Sequence, residues 1–438
     1  MGLGALIIYG VGDMLGSGVY ALIGKAAGVM GNAVWLAFIT SMVAALLTGL
    51  SYASLGSRHP RAAGVAFIAQ RAFGKPFLSY MLGLAVVASG LTSMATASRT
   101  FAGYFLGAIG ANTANVAGLS GVIIAFIVVL TVINFRGMKE STWMNIVCTT
   151  IEASGLFIVI AVGIRYWGGN TNYLETPTVS AAGLGAMTLP LVLQGAVLTF
   201  YSFVGFEDML NVTEEVKNPE RNFPIAVLAA LGITTLIYIA VAITAISVMP
   251  HAELAASGQP LVDVVRRAAP WFPPAMFSFI ALFAITNTAL LNFIMASRLA
   301  YGLSRQGLVP AFLGRVHPTR RTPYKAIFTL AVVVLVLALI GGVAQLASAT
   351  SSLLLGVFIV VNASLVVLKR RKDEPLGRFE IPSIFPIAGI LTCGVILAHV
   401  QAQAAVIALG LLTVIALLYF AMKPAAAIAE GISDPNVS

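Results

Sequence analysis

The chain has 438 residues, of which 59% are hydrophobic and 9% charged, against about 25% charged residues in an average soluble domain. This composition excludes a large soluble domain and predicts an all-α polytopic membrane protein, because long unalternating apolar runs favour helices over a β-barrel. The net charge of +9 does not indicate nucleic-acid binding, since the basic residues lie in the loops between apolar runs.

Twelve apolar runs, each about as long as a helix that crosses a bilayer, follow one another along the chain. The runs cover residues 3–24, 33–56, 77–108, 117–134, 143–166, 184–210, 225–249, 272–303, 324–343, 346–368, 383–400 and 402–422. We therefore predict twelve transmembrane helices in a lipid bilayer. The first run follows no Lys or Arg and contains Asp13, which does not fit a cleaved signal peptide, so we expect it to be the first span itself.

The basic residues between these runs predict the orientation of the chain. With both termini in the cytoplasm, 20 of the 25 Lys and Arg residues lie on the cytoplasmic side. Cytoplasmic loops of membrane proteins carry such an excess. We therefore expect a multi-pass protein of the inner (plasma) membrane with both termini cytoplasmic.

The first run contains the unusual stretch GDMLGSG at residues 12–18. A helix broken at Gly16, Ser17 and Gly18 would leave backbone N–H groups near the middle of the bilayer, at the positive end of the following half-helix. Such a place suits an anion, for instance a carboxylate. The alternative is helix packing, because Gly12 and Gly16 form a GxxxG pair.

The sixth run carries a second interruption, FVGFED at residues 203–208. A break around Phe203 to Gly205 would free carbonyl groups that can accept hydrogen bonds from an ammonium group, so the two breaks together suit a zwitterion. The two interrupted runs lie five spans apart. An odd separation predicts two five-helix halves of opposite orientation, as in inverted-repeat transporters.

Acidic residues lie inside the apolar runs at Asp13, Glu152 and Glu207, with Asp208 next to the last of them. Each costs at least about 2.5 kcal/mol at the centre of a span on insertion scales, so each is expected to face the interior and to be functional. They could bind a substrate amine, carry a coupling proton or coordinate a cation. Asp208, beside Glu207, could equally be a solvated or helix-capping residue.

Other candidate ligands are weaker. Thr286 and Thr288 could offer oxygens to a small cation, although hydrogen bonding between helices is the alternative. The two cysteines, Cys148 and Cys393, and the four scattered histidines form no disulfide framework and no metal or catalytic set. We therefore predict no metal and no cofactor, and a membrane-embedded hydrolase or transferase is disfavoured.

Three separate stretches match the sequence patterns of a known family. They are GVGDMLGSGVYALIGKAAG at 10–28, FYSFVGFEDMLNVTEEVKNPERNFP at 200–224 and ASRLAYGLSRQGLVPAF at 296–312. They resemble the amino acid–polyamine–organocation (APC) superfamily, specifically its bacterial amino acid permeases. The resemblance implies a five-plus-five inverted repeat of the leucine-transporter type. The repeats would be residues 1–166 and 184–368, followed by two extra helices in 383–422 and a cytoplasmic tail at 423–438.

The resemblance also implies a function and a site. The protein would be a secondary active transporter of amino acids that works by alternating access, with a small amino acid or amine held between the first and sixth helices. Gly16, Ser17 and Gly18 would receive its carboxylate. Residues near the breaks would surround the rest of the solute: Asp13, Met14, Tyr201, Phe203, Val204 and Glu207.

The sequence departs from the family pattern at two acids. Glu152 stands where some proton-coupled members have a lysine, and Asp13 replaces a residue that is usually neutral. Glu152, Glu207 and Asp13 are thus candidates for carrying a proton or holding another ion. The same acids favour a polyamine or other organic cation as the alternative substrate. Symport, antiport and uniport stay open, as do monomer and homodimer.

Overall fold

The computed structural model describes residues 1–59, 64–112, 115–137, 142–169, 171–177 and 187–422. The predicted tail at 423–438 and the first residues of the predicted sixth span, 184–186, lie outside them. Within the described residues the regular structure is helical. The α-helices are α1 (Leu3–Met14), α2 (Ser17–Met30), α3 (Val34–Arg58), α4 (Val65–Phe73), α5 (Pro76–Ala108), α6 (Val116–Arg136), α7 (Thr142–Gly163), α8 (Leu189–Phe200), α9 (Pro219–Val248), α10 (His251–Ala256), α11 (Pro260–Ala268), α12 (Pro274–Arg305), α13 (Tyr324–Ile340), α14 (Val343–Lys369), α15 (Ile384–Leu397) and α16 (Ala402–Met422).

The apolar runs of the sequence form the long helices. In the part of the chain that the structure describes, nine helical segments are long and apolar enough to cross a membrane, and three shorter apolar helices accompany them, α1, α13 and α15. Each of the twelve predicted spans contains one of these helices. The prediction of an all-α, twelve-helix membrane protein is therefore confirmed.

In the described residues, two of the twelve spans are interrupted, and they are the first and the sixth, as predicted. In the first span α1 ends at Met14 and α2 begins at Ser17, which leaves residues 15–16 as a break. In the sixth span a short 3-10 turn, Tyr201–Phe203, follows α8, and a 3-10 helix, Phe206–Glu215, begins after the break at residues 204–205. Gly205 has a φ of 124°, a conformation that only glycine adopts readily.

The two breaks pack directly against each other in the centre of the molecule. A Cβ at Gly18 would lie 2.7 Å from the Cα of Ser202, and a Cβ at Gly205 would lie 3.0 Å from the backbone carbonyl carbon of Asp13. These distances are shorter than ordinary van der Waals contact. The missing side chains of the two glycines therefore allow the two interrupted backbones to meet.

Three short helices, α4, α10 and α11, were not predicted, because each is amphipathic rather than continuously apolar. In α11, for example, Val262 and Val265 are buried while Arg266 and Arg267 are exposed. Helices α10 and α11 connect α9 to α12 and contact α2, where the Nζ of Lys25 donates a hydrogen bond to the carbonyl of Ala255 at 3.0 Å.

The loop between α14 and α15, residues 370–383, is held to the ends of α3 and α4 by ion pairs. Arg58, at the end of α3, lies 2.7 Å from Glu380, and Lys369 lies 3.2 Å from the same carboxylate. Arg71 of α4 lies 2.8 Å from Glu374. Burial alone would raise the pKa of Glu380, but hydrogen bonds from Arg58 and from the backbone N–H of Gly377, with the charge of Arg58, outweigh it and lower this pKa.

Candidate functional site

A small cavity lies between the two breaks. Its volume is about 20 Å³, enough for about one water molecule. It is lined by residues of the first span, of the sixth span, of α5 and of α12. These are Asp13, Met14, Gly16, Ser17, Gly18, Tyr201, Val204, Gly205, Asp208, Ser93, Thr288 and Asn292. Most residues that the sequence predicts for the site line this cavity; Phe203 and Glu207 do not.

The beginning of α2 presents backbone donors to the cavity. Gly16, which precedes the helix, has no side chain to cap it, and the Oγ1 of Thr288 accepts a hydrogen bond from the N–H of Ser17 at 2.9 Å instead. A Cβ at Gly16 would overlap this hydroxyl. The N–H groups of Gly18 and Val19 lie in the same first turn, where helix geometry gives them no intrahelical acceptor. The positive end of α2 therefore faces the cavity and suits an anionic group.

Tyr201 covers the cavity from the sixth span. Its hydroxyl lies 3.3 Å from the Oγ of Ser17 and 2.9 Å from the Oγ of Ser93. The phenol thus connects the sixth span to α2 and α5.

Tyr238 of α9 bridges the two breaks, and the sequence did not single it out. Its hydroxyl lies within hydrogen-bond distance of the carbonyl of Met14 and, at 2.8 Å, of the carbonyl of Ser202, so its single proton is shared between the two acceptors. These two carbonyls flank the breaks, just outside the Phe203 to Gly205 stretch whose carbonyls were predicted to accept from an ammonium group. The sequence offered one signal for this role, a tyrosine within an apolar span. A buried phenol usually finds a hydrogen-bond partner. Phe203 packs on Tyr238 with ring centroids 5.5 Å apart.

Two carboxyl groups line the cavity. Asp13 and Asp208 are both half-buried and belong to different spans. Asp208 is the residue whose role the sequence left open. Glu207 instead accepts a hydrogen bond from the N–H of Gly205 at 2.9 Å and lines the larger cavity described below.

Glu152 is fully buried in α7 and does not line the small cavity. Its Oε1 accepts a hydrogen bond from the Nδ2 of Asn287 at 2.8 Å, while its Oε2 has no hydrogen-bond partner among the described residues. The backbone carbonyl of Glu152 accepts from the hydroxyl of Tyr20 at 3.0 Å. In α12, Asn287 immediately precedes Thr288, which caps α2.

The structure does not bring the predicted pair Thr286 and Thr288 together. Thr286 donates to the carbonyl of Leu282 in its own helix, at 2.6 Å, while Thr288 reaches the start of α2. Residues two apart on a helix point in different directions. Thr288 therefore contributes to the first break without Thr286.

A second, larger cavity, here called the vestibule, adjoins the small one. Its volume is about 450 Å³, and it shares Val204, Asp208 and Asn292 with the small cavity. Its walls are mainly apolar and come from α4, α5 and the second half of α12. Glu207, Asp208 and Arg298 are its charged lining residues among those described. The connectivity of the helices places α4 and the end of α12 on the face of the bundle where α1 begins.

Comparison with known proteins supports the reading from the residues. A family model described as amino acid permease matches residues 2–425. A methylthioribose transporter of Bacillus subtilis is 27% identical over 90% of this chain and 86% of its own length. A branched-chain amino acid permease of the same organism is 25% identical over 88% of this chain and 84% of its own length. Cationic amino acid transporter 9, chloroplastic, of Arabidopsis thaliana is 30% identical over 73% of this chain and 57% of its own length.

Proposed function

Since the chain belongs to the amino acid permease family of the APC superfamily, we propose that it is a secondary transporter that moves amino acids across the cytoplasmic membrane by alternating access. Its relatives are transporters and permeases, which indicates a function that is not enzymatic. The observation that carries the proposal is the cavity between two interrupted spans, because transporters bind their solute at such breaks near the middle of the bilayer.

The same breaks support the proposed organisation of the chain. We assign residues 1–166 and 184–368 to two inverted five-helix repeats and residues 383–422 to two additional helices. Both interruptions occur in the first span of their repeat, as inverted repeats require. Both termini would lie in the cytoplasm, and the vestibule would then open to the cytoplasm.

We assign the solute's carboxylate to the first turn of α2. Gly16 and Gly18 leave room for it, and the N–H groups of this turn are the donors. Tyr201 covers the solute, and Met14 and Val204 contact its carbon chain. The α-ammonium group lies toward Asp13, on the opposite wall of the first break.

Of the three acids considered for ion coupling, Glu152, Glu207 and Asp13, we favour Glu152 as the proton carrier. Its Oε2 can take up a proton without displacing any hydrogen bond shown by the described residues. Its Oε1 accepts a hydrogen bond from Asn287, the neighbour of Thr288. A change in the protonation of Glu152 therefore occurs next to the residue that caps α2. The proton site and the proposed carboxylate site thus both contact α12, through Asn287 and Thr288. Such a shared element can couple the occupancy of the two sites.

Proteoliposomes containing the purified protein test the proposal. Radiolabelled amino acids should enter saturably, and an inward proton gradient should drive their accumulation. Glu152→Gln keeps an acceptor for Asn287 but cannot ionise, so it should lose gradient-driven accumulation while it retains exchange of internal for external solute. Glu253→Gln, at an exposed ion pair with Arg267, is the control and should accumulate solute like the wild type.

Two results would contradict these assignments separately. Normal gradient-driven accumulation by Glu152→Gln would remove the proton role from this residue but leave amino acid transport intact. Absence of uptake or exchange for every amino acid would remove the proposed function itself.

A further inference from the structure

One end of the helix bundle carries a cluster of positive charge without acidic neighbours in sequence. Residues 298–325 include six basic residues and no Asp or Glu. The loop between α12 and α13 in this segment is attached to the end of α6, because the Oγ1 of Thr322 donates a hydrogen bond to the carbonyl of Phe135 at 2.9 Å. We call six exposed residues of the two segments the basic collar: Arg136, Arg305, Arg315, Arg320, Arg321 and Lys325.

The basic collar differs from the other basic groups at the same end of the molecule. Arg58 and Lys369 share the carboxylate of Glu380, and Arg71 pairs with Glu374. The six collar residues form no ion pair in the part of the chain that the structure describes. Their charges are therefore available to a partner outside the chain.

The loop that carries most of the collar is fixed by contacts around His317. The ring of His317 packs edge-on against Phe135 of α6, with centroids 5.2 Å apart. The backbone N–H of Arg320 donates to its Nδ1 at 3.3 Å, and the N–H of Arg321 donates to its carbonyl at 2.9 Å. Arg321 has a φ of 56°, which is uncommon for a residue other than glycine. Such backbone outliers cluster at functional sites.

Two apolar stripes lead away from the collar along α6 and α13. One starts at Arg136 and the other at Lys325, and their members follow at intervals of three or four residues, which places them on one face of each helix. The two helices are neighbours at this end, since the rings of Phe135 and Phe328 lie 5.9 Å apart. The stripe residues are between 42% and 61% exposed: Ile124, Val128 and Val132 on α6, and Phe328, Val332 and Val336 on α13.

We propose that the basic collar binds the headgroup of an anionic phospholipid whose acyl chains lie along the stripes of α6 and α13. The twelve residues from Ile124 to Arg136 correspond to about 18 Å of helix, which matches one leaflet of a hydrocarbon core about 30 Å thick. In the proposed orientation of the chain this is the cytoplasmic leaflet. The site is separate from both cavities and adds a lipid partner to the proposed transport function.

The continuity of charge and apolar surface favours a lipid over a soluble anion. About one helical turn separates Arg136 from Val132 and Lys325 from Phe328, so a ligand that meets both surfaces needs an anionic group and hydrocarbon chains. Guanidinium groups match phosphate through paired hydrogen bonds. Each Lys or Arg near an anionic membrane surface strengthens binding about five-fold. The phosphodiester of phosphatidylglycerol meets these requirements.

Native mass spectrometry of the full chain in a non-ionic detergent tests the inference, because it measures the fraction of protein that retains each added lipid. The probes are phosphatidylglycerol and phosphatidylcholine with the same acyl chains, and glycerol phosphate as the headgroup alone. Phosphatidylglycerol should bind at least ten-fold more tightly than phosphatidylcholine, whose headgroup has no net charge. Glycerol phosphate should bind far more weakly than the intact lipid, since it lacks the acyl chains.

The double variant Arg136→Gln with Lys325→Gln should lower the affinity for phosphatidylglycerol about 25-fold, two factors of about five, and leave that for phosphatidylcholine unchanged. The matched control is Lys372→Gln with Arg378→Gln, which removes two exposed basic residues from the α14–α15 loop and should keep the wild-type preference.

A second pair of substitutions covers the case in which the first variant does not fold, because Arg136 ends a helix. Arg315→Gln with Arg320→Gln changes two exposed side chains of the loop and keeps the backbone hydrogen bond of Arg320 to His317. This variant should lose the preference for phosphatidylglycerol to a similar extent.

The outcomes separate the lipid site from the proposed transport function, because the measurement contains no transported solute. Equal binding of the two lipids would overturn the recognition of an anionic headgroup. Binding of glycerol phosphate as tight as that of the lipid would show a site for soluble anions instead. A wild-type preference in the folded collar variants, or an equal loss in the control, would overturn the assignment to the collar.

Discussion

At the scale of single residues, three glycines at the breaks serve three different steric needs. Gly16 leaves space for the hydroxyl of Thr288, and Gly205 adopts a φ of 124° against the backbone of Asp13. Gly18 faces the backbone of Ser202. A flexible side chain can move away from an added methyl group, but backbone in a packed core cannot do so cheaply. Gly18 and Gly205 both face backbone, so neither of them can accept added volume cheaply.

We expect Gly18→Ala to lower both stability and uptake. The added Cβ would lie 2.7 Å from the Cα of Ser202, and overpacking of this kind costs about 1–3 kcal/mol. The melting temperature of the detergent-purified protein and the initial rate of uptake measure the two effects. Gly232→Ala in α9, where an added Cβ meets no atom within 4 Å, should change neither. Wild-type uptake by Gly18→Ala would contradict the close approach of the two breaks.

Individual site residues were predictable only where the sequence itself showed the break. The GSG stretch indicated Gly16, Ser17 and Gly18 because glycine and serine are unusual there, and the structure places all three on the cavity. Tyr238 was missed because its partner Met14 is 224 residues away. The direction of Asp208 depends on the 3-10 winding after Gly205, which residue types do not indicate.

At the scale of helices, α9 contacts both interrupted spans through Tyr238. Its hydroxyl serves a carbonyl from each of them, and its ring packs between Phe38 and Phe203, with centroids 5.6 Å and 5.5 Å away. Breaks expose backbone groups that lipid cannot satisfy. A side chain from a continuous neighbouring helix thus stabilises two discontinuous ones.

We expect Tyr238→Phe to destabilise the protein by about 1–3 kcal/mol, because carbonyls at the breaks lose their buried donor while the aromatic packing is kept. Thermal unfolding in detergent measures the change. Tyr80→Phe is the matched control, because the buried hydroxyl of Tyr80 has no hydrogen-bond partner among the described residues. If both variants melt at the same temperature, Tyr238 does not stabilise the breaks through its hydroxyl.

The long helices were predictable because apolar length alone marks a span. The ends of the helices were harder to predict. Helix α2 continues to Met30, past the predicted end at residue 24, because its backbone hydrogen bonds continue through Lys25 although the apolar run stops before it. The short helices α4 and α11 were missed since they are amphipathic and lie between spans. The two interruptions were predictable because Gly16 and Gly205 stand where apolar side chains would otherwise continue.

At the scale of the whole molecule, ion pairs of the α14–α15 loop connect the last third of the chain to the first third. Glu380 is the centre of this contact, since it meets Arg58 at 2.7 Å and Lys369 at 3.2 Å. Because the pKa of Glu380 is lowered in the folded protein, its ionised form favours folding. This contribution is complete above the ordinary value of about 4.5 and is lost as the pH falls through the lowered folded-state pKa.

We therefore expect Glu380→Gln to melt at a lower temperature than the wild type at pH 7, with a difference that shrinks as the pH is brought below about 4.5. Melting temperatures of both proteins between pH 7 and pH 3.5 measure this. Asp373→Asn, in the same loop but exposed, should match the wild type at neutral pH. A difference that stays constant over the whole range would show that the charge of Glu380 does not stabilise the fold.

The segment that leaves the second break has an unusual winding. Phe206–Glu215 is a 3-10 helix of ten residues, although such helices rarely exceed 3–4 residues. A 3-10 helix rises about 2.0 Å per residue and an α-helix about 1.5 Å, so rewinding the same ten residues would shorten the segment by about 5 Å. Such a rewinding would draw the start of α9 toward the centre of the bilayer by the same distance.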